Sequence, residues 1–154
     1  MGKIAFVFAG QGAQYSGMGK SLYETSAAAK KLYDMAEEIR NGTIKQSFEG
    51  TAEELKMTEN TQPCLFLVDL ASALALNEKG IKADAVAGFS LGEIAALAYG
   101  KAYSYEDGFK IVCERGKLMG NSSTGEETAM CAVLKLERED VINLASKYEK
   151  LYAV

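Results

Sequence analysis

No histidine occurs anywhere in these 154 residues. That removes the side chain that most often takes a nucleophile's proton near neutral pH, and it excludes histidine-containing metal sites. Cysteine is sparse as well. Cys64, Cys113 and Cys131 are odd in number, widely spaced and set in apolar surroundings, so they read as reduced core thiols and not as a metal or redox set. No cluster of lysine and arginine is present, and a net charge of -4 spread over mixed signs leaves no electrostatic footprint for nucleic acid or an anionic membrane. No apolar run is long enough to span a bilayer. The stretch Ile4-Ala5-Phe6-Val7-Phe8 is too short for the apolar core of a signal peptide, and Phe6 stands where a myristoylation signal needs Ser or Thr. A cytoplasmic protein is expected.

What is present suits one globular core. With 48% hydrophobic residues the chain can bury substantial apolar surface. Lys3 to Phe8 reads as a buried strand, and Ala9 to Gly19 as a glycine-rich loop carrying Gln11 and Gln14. Ser26 to Ile39 reads as a helix with an apolar stripe at Leu32, Met35, Ala36 and Ile39, ended by Asn41-Gly42. Thr51-Ala52-Glu53-Glu54 is a capping box for a short helix. A longer helix is predicted to follow Thr61-Gln62-Pro63, with the proline in its first turn, and to stop at Gly80. A strand over Ala85 to Ala87 and a helix to Gly100 come next, and Ser104 opens another amphipathic helix. Asn121 to Thr128 is the best linker candidate; beyond it Ala129 to Leu136 alternates as a strand, Glu137 to Tyr148 reads as a charged helix, and Leu151 to Val154 as the opening of a further strand. The alternation of strand and helix predicts an α/β fold with a mainly parallel sheet flanked by helices.

One pentapeptide carries chemistry. Gly88-Phe89-Ser90-Leu91-Gly92 lies between an apolar strand and a helix-forming stretch, the setting of a G-x-S-x-G nucleophile elbow. The bare pattern arises by chance in roughly 5% of chains this long, so the flanking strand and helix carry the reading. Ser90 is the candidate nucleophile, with the backbone N–H of Leu91 aimed at a developing oxyanion. Glu93, one turn into the helix, points away from the hydroxyl and is not its base. Read on its own, Arg115 is a solvated charge on an amphipathic helix, Gln11 and Gln14 are loop polars, and Met119 is either core packing or a pocket wall.

Four blocks change those readings. Phe8-Ala9-Gly10-Gln11-Gly12-Ala13-Gln14, Thr61-Gln62-Pro63, Gly88-Phe89-Ser90-Leu91-Gly92-Glu93 and Arg115-Gly116-Lys117-Leu118-Met119 stand in the order and spacing of the malonyl-CoA:acyl carrier protein transacylases. The chain resembles that family over essentially its whole length. The resemblance implies an α/β-hydrolase-like or patatin-like core over residues 1–125, then the beginning of a small ferredoxin-like α+β subdomain over 126–154. It implies that Ser90 takes malonyl from coenzyme A as an ester and passes it to the phosphopantetheine thiol of acyl carrier protein, in fatty acid biosynthesis. Leu91 and Gln11 would form the oxyanion hole with their backbone N–H groups, Arg115 would grip the malonyl carboxylate, and Gln62 and Met119 would line the acyl pocket. No cofactor is implied, since malonyl-CoA is a substrate.

The chain departs from that family twice. Phe89 replaces a histidine common beside the nucleophile, a change of packing more than chemistry. Family members also run well past the position of Val154 and supply the catalytic histidine there, so this chain is expected to be the N-terminal part of a longer enzyme, with little turnover alone and a tendency to self-associate. Malonyl and methylmalonyl are not distinguished. Two other readings stay open: a serine hydrolase of the α/β or patatin-like type, and a non-catalytic module that binds carrier protein or coenzyme A.

Overall fold

The computed structural model describes residues 2–122 and 129–153. The chain divides into two compact units, 1–124 and 125–154. In the first, strands β1 (Ala5–Phe8) and β2 (Ala85–Gly88) pair in parallel, Ala5 opposite Ala85 and Phe8 opposite Gly88. Helices α1 (Lys20–Thr25), α2 (Ala27–Ile39), α3 (Thr43–Glu49), α4 (Ala52–Lys56) and α5 (Thr58–Glu78) make the crossover between the strands, and α6 (Leu91–Tyr99) and α7 (Tyr105–Asn121) follow β2.

Helix α5 is the centre of the unit. Pro63, Cys64, Leu65, Phe66, Leu67, Leu70 and Ala71 are all buried, and α2, α6 and α7 pack around them. A helix apolar on every side belongs inside a core. Each fully buried Leu or Phe contributes about 1.5–3 kcal/mol. The rings of Phe66 and Phe109, 6.3 Å apart, join α5 to α7. Three helix starts follow the capping chemistry of their residues. Ser26 accepts the Ala29 amide, Thr51 and Glu54 form a reciprocal capping box, and Ser104 accepts the Asp107 amide. Each cap stabilises its helix by about 1 kcal/mol.

Several expectations are corrected. Strand β1 is not buried: Phe8 is, but Val7 is 78% exposed, because β2 is its one partner among the described residues and a face of the pair lies open. Pro63 lies well inside α5, whose first turn begins at Thr58. Thr61 Oγ1 donates to the carbonyls of Leu55 and Met57, and Asn60 Nδ2 donates to the carbonyl of Glu54. These bonds tie the new helix onto α4 and let it start earlier than the proline suggests. Helices α1 and α3 were not anticipated; each starts after a glycine in the left-handed region, Gly19 and Gly42, which reads in a sequence as a stop.

In the second unit the described element is α8 (Arg138–Ala145), which ends before the expected Tyr148. Neither 129–136 nor 151–153 forms a strand. A strand satisfies its backbone by pairing, these stretches form no ladder, and Lys135 turns into the left-handed region at φ 64°. Of the cysteines, Cys64 is buried and Cys113 half-buried, but Cys131 is exposed and no core thiol. Of the expected linker, Asn121 ends α7 and residues 123–128 lie outside the described residues.

Ile4, Val7 and Val86 leave apolar surface open along the strand pair. The chain is expected to self-associate as its concentration rises. Light scattering over a dilution series checks this; a monodisperse monomer throughout would contradict it.

Candidate active site

Both strands end at one level, so the loops that leave them are neighbours. The carbonyl of Phe8 accepts the amide of Phe89, 3.2 Å away. Gly10 lies so close to the second loop that a side-chain carbon there would fall 2.8 Å from the Phe89 carbonyl oxygen, and one on Gly92 would fall 2.2 Å from the Phe8 oxygen. Only residues without a side chain let the two backbones approach in this way.

At the turn itself Ser90 has φ 53° and ψ -104°, a strained backbone for a residue other than glycine. Gly92 and Glu93 give their amides to the carbonyls of Phe89 and Ser90. Leu91 is the first residue of α6, where an amide has no intrahelical acceptor. The side chain of Leu91 is fully buried, whereas Ser90 is exposed. Phe89 is 74% exposed beside it. An exposed serine on a strained strand-to-helix turn, with the amide that opens α6 next to it, is the backbone geometry of the G-x-S-x-G elbow.

Arg115 reaches that serine from α7. The neighbouring Gly116 lets α7 settle on the start of α5: a side-chain carbon there would meet the Thr58 carbonyl oxygen and Glu59 Cα at 3.1 Å. From this position Arg115 Nη2 donates to Ser90 Oγ at 3.0 Å and Nη1 to Gln62 Oε1 at 2.8 Å. Gln62 is fully buried, and its Nε2 donates to Met119 Sδ at 3.2 Å. Ser90, Arg115, Gln62 and Met119 are thus one connected group. Among the described residues no carboxylate pairs with Arg115. The guanidinium is half-buried with two neutral acceptors and no counter-charge, an arrangement that attracts an anion.

Gln11 lies on the loop after β1 and stays exposed; its Nε2 donates to Thr58 Oγ1 at 3.2 Å, which fixes it against the start of α5. Gln14 accepts the Gly12 amide at 2.7 Å and so braces the same loop.

The family is decided by comparison with known proteins. Residues 5–148 match the acyl transferase domain. This chain belongs to the acyl transferase domain family. It is 43% identical over 148 residues to the malonyl CoA-acyl carrier protein transacylase of Bacillus subtilis, covering 96% of this chain and 47% of that protein. Among solved structures, the malonyl CoA-acyl carrier protein transacylase of Coxiella burnetii superposes with a TM-score of 0.88 at 31% identity, over 94% of this chain and 46% of the other. The corresponding protein of Clostridium perfringens gives 0.83 at 34% identity, over 95% and 46%. The acyl transferase chain spans about half the length of these relatives. Its fold is theirs over that half: an α/β acyltransferase fold with a parallel sheet flanked by helices.

Sequence reasoning passed over one group in this acyl transferase chain. Asp69 on α5 takes the amide of Ala9, at the head of the Gln11 loop, while its Oδ2 is buried without a hydrogen-bond partner. Its signal was visible as one charge inside the apolar run from Cys64 to Ala71. Burial pushes its carboxyl up to about 7, and the bond from Ala9 offsets only part of that. A raised folded-state value stabilises the fold fully below the ordinary carboxylate range and loses that contribution as pH climbs through about 7. Asp69→Asn keeps an acceptor for Ala9 and removes the charge. Melting curves are expected to show the variant more stable than the parent at about pH 8, with the gap narrowing as pH falls through about 7 and closing only below the ordinary carboxylate range; a gap that does not change with pH would contradict the buried charge.

Proposed function

We propose that the protein is the N-terminal part of an acyltransferase that moves malonyl from malonyl-CoA to the phosphopantetheine thiol of acyl carrier protein. The observation that carries this reading is Arg115, an uncompensated guanidinium held at Ser90. Ser90 Oγ attacks the thioester carbonyl, the bond from Oγ to the acyl carbon forms, the carbon–sulfur bond breaks, and the thiol of coenzyme A leaves with the proton that Ser90 gave up. The thiol of the carrier protein then attacks the ester carbonyl, the bond from its sulfur to the acyl carbon forms, the bond from Oγ to that carbon breaks, and the proton the thiol loses returns to Ser90 Oγ. The backbone amides of Leu91 and Gln11 stabilise the oxyanion in both halves of the cycle. Arg115 receives the malonyl carboxylate through paired charge-assisted hydrogen bonds, and Gln62 and Met119 form the wall beside it. No tightly held cofactor takes part.

The base is the missing piece. With no histidine in 154 residues, the serine must ionise unaided. Loss of such a base costs several powers of ten in rate, and near-zero turnover is proposed for these residues alone. We further propose that the reaction belongs to fatty acid biosynthesis in the cytoplasm, a reducing compartment that suits three cysteines free of disulfides.

Arg115→Ala tests the reading. In an enzyme completed by a histidine-bearing segment, malonyl transfer is expected to fall about 10- to 100-fold while transfer of an acyl group without a carboxylate does not fall. Steady-state kinetics with both donors make the check. Equal losses for both donors, or none, would contradict the carboxylate clamp, and the second result is what a neutral-ester hydrolase would give.

A further inference from the structure

The two bonds of Arg115 are not equivalent. Gln62 is buried and held at its other end by Met119 Sδ, so it is a fixed anchor for Nη1; Ser90 is exposed and offers Nη2 a single neutral oxygen. We propose that Arg115 is a latch on the nucleophile: without a carboxylate it holds Ser90 Oγ, and the carboxylate of the incoming acyl group draws the guanidinium away and frees the hydroxyl. This inference rests on the reading of Arg115 as the carboxylate receptor.

The chemistry follows from what each acceptor offers. A hydroxyl oxygen that accepts a bond from a cation has one of its two lone pairs committed and its electron density drawn toward the charge, which makes it a weaker nucleophile. A carboxylate is an anionic acceptor, and its bonds to guanidinium are roughly twice as strong as those of a neutral partner. It therefore wins the competition for Nη2, with Gln62 keeping Nη1 in place. In a malonyl thioester the carboxylate is joined to the reacting carbonyl through one methylene, so the group that opens the latch arrives with the bond to be broken. An acetyl donor brings no such group and meets a serine still held. Selection then acts on the reactivity of the nucleophile as well as on binding.

A contact present only in the unliganded state opposes the ligand, so removing it must tighten binding. The test is calorimetric titration of the 154-residue chain with free malonate, using the parent, Ser90→Ala, Ser90→Gly and Arg115→Ala. Glycine suits the positive φ of position 90 and guards against a folding defect in the alanine variant. The latch predicts that both hydroxyl-free variants bind malonate roughly three- to tenfold more tightly than the parent and that Arg115→Ala loses binding. Equal or weaker binding by both Ser90 variants, with Arg115→Ala still losing it, overturns the latch and leaves the clamp standing. Parent-like binding by Arg115→Ala, or no malonate binding by the parent, overturns the clamp and the latch together.

Discussion

Phe8 and Gly88 end neighbouring parallel strands at the same level, and the amide just past one bonds to the carbonyl of the other. Every group at the site depends on that register. It sends the Gln11 loop and the Ser90 turn out of the sheet side by side, with glycines where the two backbones press together. A slip of one residue would turn each side chain to the opposite face and part the loops. The helix after Ser90 then leaves the sheet directly behind the serine, and α7 brings Arg115 across the start of α5 to the Ser90 hydroxyl.

Electrostatics complete what the backbone begins. Arg115 is held by Gln62 and Ser90, two acceptors without charge. A half-buried cation whose nearest partners are neutral is less costly to keep when an anion arrives than when none does. Asp69 presents the reverse case in the same unit: a carboxyl close enough to hold the Ala9 amide, yet so buried that its charge is disfavoured. One group is a cation with neutral acceptors, and the other supports the loop with a proton more readily than with a charge.

How much of this could be read from the residues depended on the range of the interaction. Local chemistry was legible. Ser26, Thr51 and Ser104 cap helices where their side chains suggested, and the G-x-S-x-G turn sits between a strand and a helix. Contacts between distant parts were not. Pro63 looked like a first-turn residue because the bonds from Thr61 and Asn60 back to α4 cannot be seen in a sequence. Arg115 read on its own was a surface charge, since its partners Gln62 and Ser90 lie 53 and 25 positions away. Helices α1 and α3 were hidden by Gly19 and Gly42, which permit the left-handed turn at a helix start as readily as at its end. Alternation over 129–136 suggested a strand, but alternation describes a face and cannot supply the neighbour that a strand needs.

The claim on which the rest stands is that Ser90 is an acyl-accepting nucleophile already assembled in these residues and short of nothing but a base. The most direct measurement is intact-mass and peptide-mapping spectrometry of the chain after incubation with malonyl-CoA, with and without added imidazole to stand in for the absent base, and with Ser90→Ala as control. The expected result is one malonyl increment, promoted by imidazole, mapping to Ser90 and absent from Ser90→Ala. An increment on another residue, or none even with imidazole present, would contradict it.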